Sequence, residues 1–222
     1  MSTEFLIVRH GETPWNVERR IQGWRDIELN ENGRLQANQL AERLSQSKRD
    51  VNPHWPVHAI YSSDLARARA TAQAVADSLN LPLGLVDGVR ERNYGILEGV
   101  QFDNMHEDHP EVARVWQSRD PDGIIPEGET LRQFHARVTQ TLESLAAKHQ
   151  QQRVLLVTHG GAMDIIWRAA TGEPIEAPRR VVMLNASINR IQITAHDDGF
   201  EWSLLDWGDV SHLQSSDNDV VA

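Results

Sequence analysis

Arg9-His10-Gly11 joins a cation, a titratable nucleophile and a flexible residue where the apolar run 5–8 stops. In an open α/β sheet, the carboxyl ends of the strands are where ligands bind. His10 can attack an electrophile only while its imidazole is neutral. A fixed positive charge at Arg9 disfavours protonation and also draws in an anion. The same design recurs late in the chain, where the run 154–158 ends at His159-Gly160-Gly161. A helix is predicted to start near Ala162, and amides at a helix N-terminus favour a bound anion. One His-Gly at a strand end reads as a buried, hydrogen-bonded histidine. Two in the same context, one of them beside Arg9, read as a phosphate site with a histidine nucleophile.

Two further segments carry candidate groups. Residues 61–72 again lead from a strand into a helix, which puts Arg67 in the first turn, near the same edge. Arg69 lies two positions on, points elsewhere, and reads as a solvated helix charge. Glu91 stands between Arg90 and Arg92, a spacing that by itself describes a surface ion-pair cluster. His106 and His109 have acidic neighbours but no third ligand at helical spacing, so no metal site is read there. Trp15 and Trp24 flank the predicted pocket; packing is the default for both, and Trp24 is the one placed for substrate contact. His212 is read as a surface residue.

The elements that must hold these groups follow from hydrophobic periodicity. Apolar, β-rich runs occupy 5–8, 59–62, 154–158, 188–193 and 202–205, the first three nearly continuous, as in strands covered on both faces. Amphipathic helical patterns fill 34–44, 64–79, 131–149 and 161–171. Ser63-Asp64 supplies N-cap chemistry for the second of these, and Gly172 with Pro174 ends the fourth. Strands alternating with helices imply an α/β protein, a three-layer α/β/α sandwich with a mostly parallel central sheet. Asp198-Gly199 suggests a turn between the last two runs, hence one antiparallel strand near the C-terminal end. The pattern is that of one domain over 1–213, with 92–128 as a small cap and 214–222 as a mobile acidic tail.

Composition narrows the function. The 222 residues carry a formal net charge of −10, which argues against nucleic-acid binding and requires any phosphate pocket to concentrate its arginines locally. There are no cysteines, so disulfides, thiolate metal sites and cysteine nucleophiles are excluded together. No leader-like segment and no apolar stretch near the ~20 residues of a membrane span is present, which points to a soluble, cytoplasmic protein.

Taken in order, the opening Arg9-His10-Gly11-Glu12-Thr13 with Asn16, then Arg67, Glu91 and His159, resemble the histidine phosphatase superfamily, also called phosphoglycerate mutase-like. Gly23-Trp24, residues 29–33, 126–130 and 208–212 resemble its cofactor-independent phosphatase branch. The resemblance implies that His10 becomes phosphorylated while Arg9, Arg67 and His159 clamp the transferring phosphoryl group. Asn16 and the Gly160 amide would assist. Glu91 would give a proton to the leaving oxygen and then take one from water. Gln22 and Gly23 would line the entrance, and Arg92 and Tyr94 would also contact substrate. No metal or cofactor is implied. Burial of Glu91 and its two flanking arginines would act on its proton in opposite senses, a balance that sequence leaves open.

Mutases of this superfamily carry a long insertion that supplies paired arginines for a substrate carboxylate. The corresponding interval here runs only from Tyr94 to Pro126 and contains no adjacent pair. A short cap admits water, so hydrolysis is expected over transfer. The expected substrate is a small phosphorylated metabolite, with phosphoglycerate mutase or a non-catalytic phospho-ligand binder as the alternatives. A homodimer through an edge strand or helix face stays open.

Overall fold

Four consecutive buried apolar residues, Phe5 to Val8, form the middle of strand β1 (Ser2–Arg9). A strand alternates its side chains between two faces, so a run this continuous needs cover on both. The computed structural model, which describes residues 1–49 and 56–213, supplies it. Phe5 and Ile7 pack with helices α6 (Leu131–Lys148) and α7 (Gly160–Thr171). Leu6 and Val8 pack with α2 (Glu31–Arg49) and α3 (Ala66–Leu79). Val154, Leu155, Leu156 and Val157 of strand β4 (Arg153–Thr158) divide in the same way. Each such side chain contributes about 1.5–3 kcal/mol of transfer free energy, which fixes the register of the two central strands.

The sheet has six strands in the order β3-β2-β4-β1-β5-β6. Strands β2 (Ala59–Ser62) and β3 (Leu83–Leu85) join β4 and β1 in parallel. Strand β5 (Ile188–His196) pairs antiparallel with both β1 and β6 (Gly199–Asp209), so it alone runs against the other five. That is the predicted α/β architecture. The connections leave β1 toward β2 and leave β4 toward β5, on opposite sides. The carboxyl ends of β1 and β4 therefore form the switch point of the sheet.

Three local expectations are corrected. Strand β3 was not predicted, because three residues containing a glycine carry too little periodicity. The terminal strands run to 188–196 and 199–209, longer than read, with residues 197 and 198 as the turn. Helix α3 starts at Ala66, after an extended Leu65 whose side chain makes no cap bond. Asp64 instead receives two hydrogen bonds from Arg90.

Between α3 and α6 lie the short helices α4 (Met105–Asp108) and α5 (Pro110–Ser118). Met105, Ala113, Leu97, Ile125 and Ile21 form a separate small cluster there, edged by Tyr94 and Trp116. Helix α1 (Pro14–Val17) follows the first histidine and is closed by a capping box between Thr13 and Asn16. The predicted tail, 214–222, lies outside the described residues, as do 50–55 of the stretch 46–56 that reads from sequence as a polar loop; residues 46–49 of that stretch instead continue α2. Among the described residues, no helix is long and apolar enough to cross a membrane.

Candidate active site

Parallel pairing sets Arg9 opposite Thr158, so the next residue on each strand, His10 and His159, emerges side by side. Their ring centroids are 5.2 Å apart. Both are buried. The turn at Gly11 can pack onto the start of α2 because Gly33 faces it. A Cβ on Gly11 would stand 2.4 Å from the Gly33 carbonyl oxygen. A Cβ on Gly33 would in turn stand 2.0 Å from the Glu12 carbonyl oxygen, which explains the glycine that ends the sequence motif at 29–33.

His10 Nδ1 lies 2.7 Å from the Gly11 carbonyl oxygen, which can only accept. The proton therefore sits on Nδ1 and the Nε2 lone pair is left for chemistry. Burial pushes the His10 pKa well below its usual value, and Arg67 and then Arg9 push it further. Arg9 was expected to be the cause of neutrality, but desolvation leads. His159 is held neutral by burial, then by Arg67 and His10.

The two arginines are anchored from behind. Arg67 donates to the carbonyls of Arg25 and Gly23, each at 2.8 Å, and Arg9 donates to the Met183 carbonyl. Burial draws both guanidinium groups down to about 10, offset in part by Glu91. They remain charged at neutral pH. Arg9 Nε, Arg67 Nε and both ring nitrogens of His159 are buried without a hydrogen-bond partner among the described residues. Buried donors without partners are costly, of order 1–3 kcal/mol each, unless a ligand completes them. Arg9 and Arg67 also line a cavity, so an anion bound there would supply acceptors to them.

Glu91 reaches this point from the loop after Val89. Its Oε2 accepts from the Gly161 amide at 2.9 Å and its Oε1 from the Arg92 amide at 2.8 Å. Neither flanking arginine pairs with it. Arg90 turns to Asp64 and lies over the Trp24 ring, while Arg92 donates both Nε and Nη2 to the Glu129 carbonyl.

A cavity of about 630 Å³ opens over these groups. Its wall includes His10, Arg9, Arg67, Glu91, Asn16, Gln22, Gly23, Tyr94 and Gly160, nine of the residues singled out from sequence. His159 is not on the wall, although its ring packs at a tilt against that of His10. Arg92 is directed away from the cavity, toward Glu129. Trp15 is on the wall and Trp24 is not; the Trp24 indole donates to the Glu91 carbonyl and so steadies that loop. Asn16 Oδ1 accepts from the Thr13 amide and hydroxyl, leaving its Nδ2 to donate. His212 is half-buried rather than a surface residue, with Nε2 3.1 Å from the Ala186 carbonyl oxygen.

The sequence reading missed one whole side of the cavity: Arg179 to Asn185, on the connection from α7 to β5. The adjacent pair Arg179-Arg180 was the available signal, but the search for paired arginines stopped at Pro126.

The profile of the histidine phosphatase superfamily (branch 1) matches residues 5–209. The chain belongs to this superfamily. Among relatives of this histidine phosphatase, a metal-independent phosphoserine phosphatase of Arabidopsis thaliana is 39% identical over 96% of this chain and 84% of its own length. Phosphoglycerate mutase-like protein 4 of the same plant is 37% identical over 96% and 88%. A mycobacterial glucosyl-3-phosphoglycerate phosphatase superposes with a TM-score of 0.78 at 27% identity, covering 94% of this chain and 99% of that one. The chain is accordingly an enzyme of the phosphatase kind.

Proposed function

We propose that this histidine phosphatase hydrolyses phosphomonoesters of small metabolites, with His10 as nucleophile and water as final acceptor. The observation that carries the reading is that His10, whose Nε2 lone pair is left for chemistry, shares one cavity wall with Arg9 and Arg67 and has the His159 ring 5.2 Å away. Phosphoryl transfer asks for in-line placement and compensation of charge on three oxygens, which these groups offer without a metal. In the first step His10 Nε2 bonds to phosphorus, the P–O ester bond breaks, and the leaving oxygen takes a proton from Glu91. In the second, water gives a proton to Glu91 and its oxygen bonds to phosphorus, releasing His10 and inorganic phosphate. Tyr94 and Gln22 border the leaving group, and Asn16 Nδ2 and the Gly160 amide are positioned to add donors.

Transfer to a second metabolite is the competing outcome. The pair Arg179-Arg180 means that paired arginines do not separate the two. Water access does. A cavity of about 630 Å³ is larger than a small ester fills, which leaves room for the attacking water. Acid-labile, alkali-stable label should accumulate on the protein during turnover and vanish in His10→Ala together with phosphate release. Timing phosphate release against 2-/3-phosphoglycerate exchange then separates the readings: fast exchange with negligible release would overturn hydrolysis.

A further inference from the structure

Residues 126–130 take no part in the chemistry above, yet they pack against the loop that carries Glu91. Asn93 and Glu129 exchange two bonds there. The Glu129 amide donates to the Asn93 carbonyl at 3.0 Å, and the Asn93 amide donates to Glu129 Oε1 at 2.9 Å. Two glycines permit this closeness. A Cβ on Gly95 would stand 1.9 Å from the Pro126 carbonyl oxygen, and one on Gly128 2.7 Å from the Asn93 carbonyl oxygen.

Arg137, on the second turn of α6, ties the two segments together. Its Nε donates to Glu129 Oε2 at 3.2 Å and its Nη2 to Glu129 Oε1 at 2.5 Å. The rest of the fork goes to main chain: Nη1 donates to the carbonyls of Gly88 and Arg90, each at 3.1 Å, and Nη2 also donates to the Glu91 carbonyl at 3.1 Å. These bonds engage all five N–H groups of a guanidinium. The Glu91 carbonyl accepts from the Trp24 indole as well, at 2.8 Å, which fills its second lone pair. The Arg90 and Glu91 carbonyls belong to the two peptide units that flank the Glu91 Cα. One guanidinium therefore holds both units, and with them the direction of the Glu91 Cα–Cβ bond. The Gly161 and Arg92 amides then hold the carboxylate itself. Neither Arg137 nor Glu129 lies on the cavity wall.

We propose that Arg137, anchored by Glu129, is a positioning residue for the proton carrier: it sets where the Glu91 carboxylate stands without meeting the substrate. The inference rests on the phosphomonoesterase reading and extends it to a pair that acts through the backbone. Lysine cannot take the place of Arg137, because a single ammonium can face Glu129 but cannot also span the carbonyls on both sides of Glu91.

Arg137→Lys tests this, since it keeps a charge opposite Glu129 while giving up the fork. A misplacement of about 1 Å at a reacting group costs about 10²-fold in rate. On glycerol 3-phosphate, whose leaving oxygen needs a proton, kcat should fall about 100-fold. The nitrophenol burst from p-nitrophenyl phosphate, whose leaving group needs none, should keep its rate within about threefold. A second variant, Arg137→Met with Glu129→Gln, leaves no carboxylate without its counter-charge and should show the same split. Equal losses on both esters, or an alkyl rate within about threefold of wild type in the folded variants, would overturn the positioning role. The Gly161 amide proton asks the same question without turnover. In Arg137→Lys its resonance should move toward that of Glu91→Ala, and an unmoved resonance would also overturn the role. If the wild type releases no phosphate from either ester while that resonance still moves, hydrolysis fails and the positioning role stands.

Discussion

Replacing Gly161 with alanine should separate the proton carrier from the rest of the site. A Cβ built at Gly161 falls 2.1 Å from Glu91 Oε1 and 3.0 Å from its Cδ. Real Cβ contacts do not come under 3.0 Å, so the carboxylate must retreat by about 1 Å. Displacements of that size at a reacting group cost about 10²-fold in rate. The helix itself is expected to gain, because alanine in place of glycine favours helical backbone by up to ~1 kcal/mol. Gly161→Ala should therefore lower kcat on an alkyl phosphate about 100-fold with a melting temperature equal to or above that of the wild type. An aryl ester such as p-nitrophenyl phosphate sharpens the test, since its leaving group departs without a proton. The variant should release one nitrophenol per site in a burst and then turn over slowly, because activation of water still needs Glu91. A fall of less than threefold on the alkyl ester, or loss of rate and stability together, would refute the placement of Glu91 as proton carrier.

Two other perturbations follow from the same geometry. Arg67→Lys keeps the charge but loses the fork that binds the Gly23 and Arg25 carbonyls, so kcat/KM should fall about 10²–10³-fold, nearly as far as for Arg67→Met; steady-state kinetics on one ester would show it, and a lysine variant within fivefold of wild type would contradict it. His10 and His159 have folded pKa values well below 6.5, and those of His135 and His212 are also lowered. The unfolded chain then binds more protons, so stability is full above pH 6.5 and is lost as pH falls from there toward the folded values. The melting temperature should drop between pH 6.5 and 5, and His159→Gln should flatten that slope; a curve that is level over this range in the wild type would refute the neutral, buried histidines.

What could be read from sequence was what the central strands dictate. The runs 5–8 and 154–158 are apolar at every position because both sheet faces are covered, and that alone placed His10 and His159 at strand ends. Arg67 followed from one helical turn. Glu91 required the family resemblance, since its neighbours Arg90 and Arg92 looked like ion-pair partners and in fact bind Asp64 and the Glu129 carbonyl. The wall from Arg179 to Asn185 was invisible for a different reason. It belongs to a connection with no periodicity, brought to the cavity by bonds from elsewhere: Arg9 to the Met183 carbonyl, and the Asn185 amide to the His10 carbonyl at 2.8 Å. Tertiary hydrogen bonds of this kind leave no local pattern in the chain.

Neutral histidines also explain how so many basic groups share one buried place. Two imidazolium ions at the 5.2 Å observed would repel by about 3 kcal/mol at an effective dielectric constant near 20, before any contribution from Arg9 and Arg67. Burial removes that conflict by taking the protons off both rings. The arginines, drawn down only to about 10, keep theirs at neutral pH. The clamp is left with two positive charges, which match a phosphomonoester dianion. The same desolvation that makes His10 neutral makes it a nucleophile, and the Gly11 carbonyl decides which nitrogen attacks. Once the phosphoryl group is on His10 Nε2 it still carries two negative charges, and the ring, which keeps its Nδ1 proton, gains a positive charge that the loss of a proton from Glu91 balances. In the mechanism we propose, the proton on Glu91 distinguishes the two steps, and the Gly161 amide fixes where that carboxylate stands on the cavity wall.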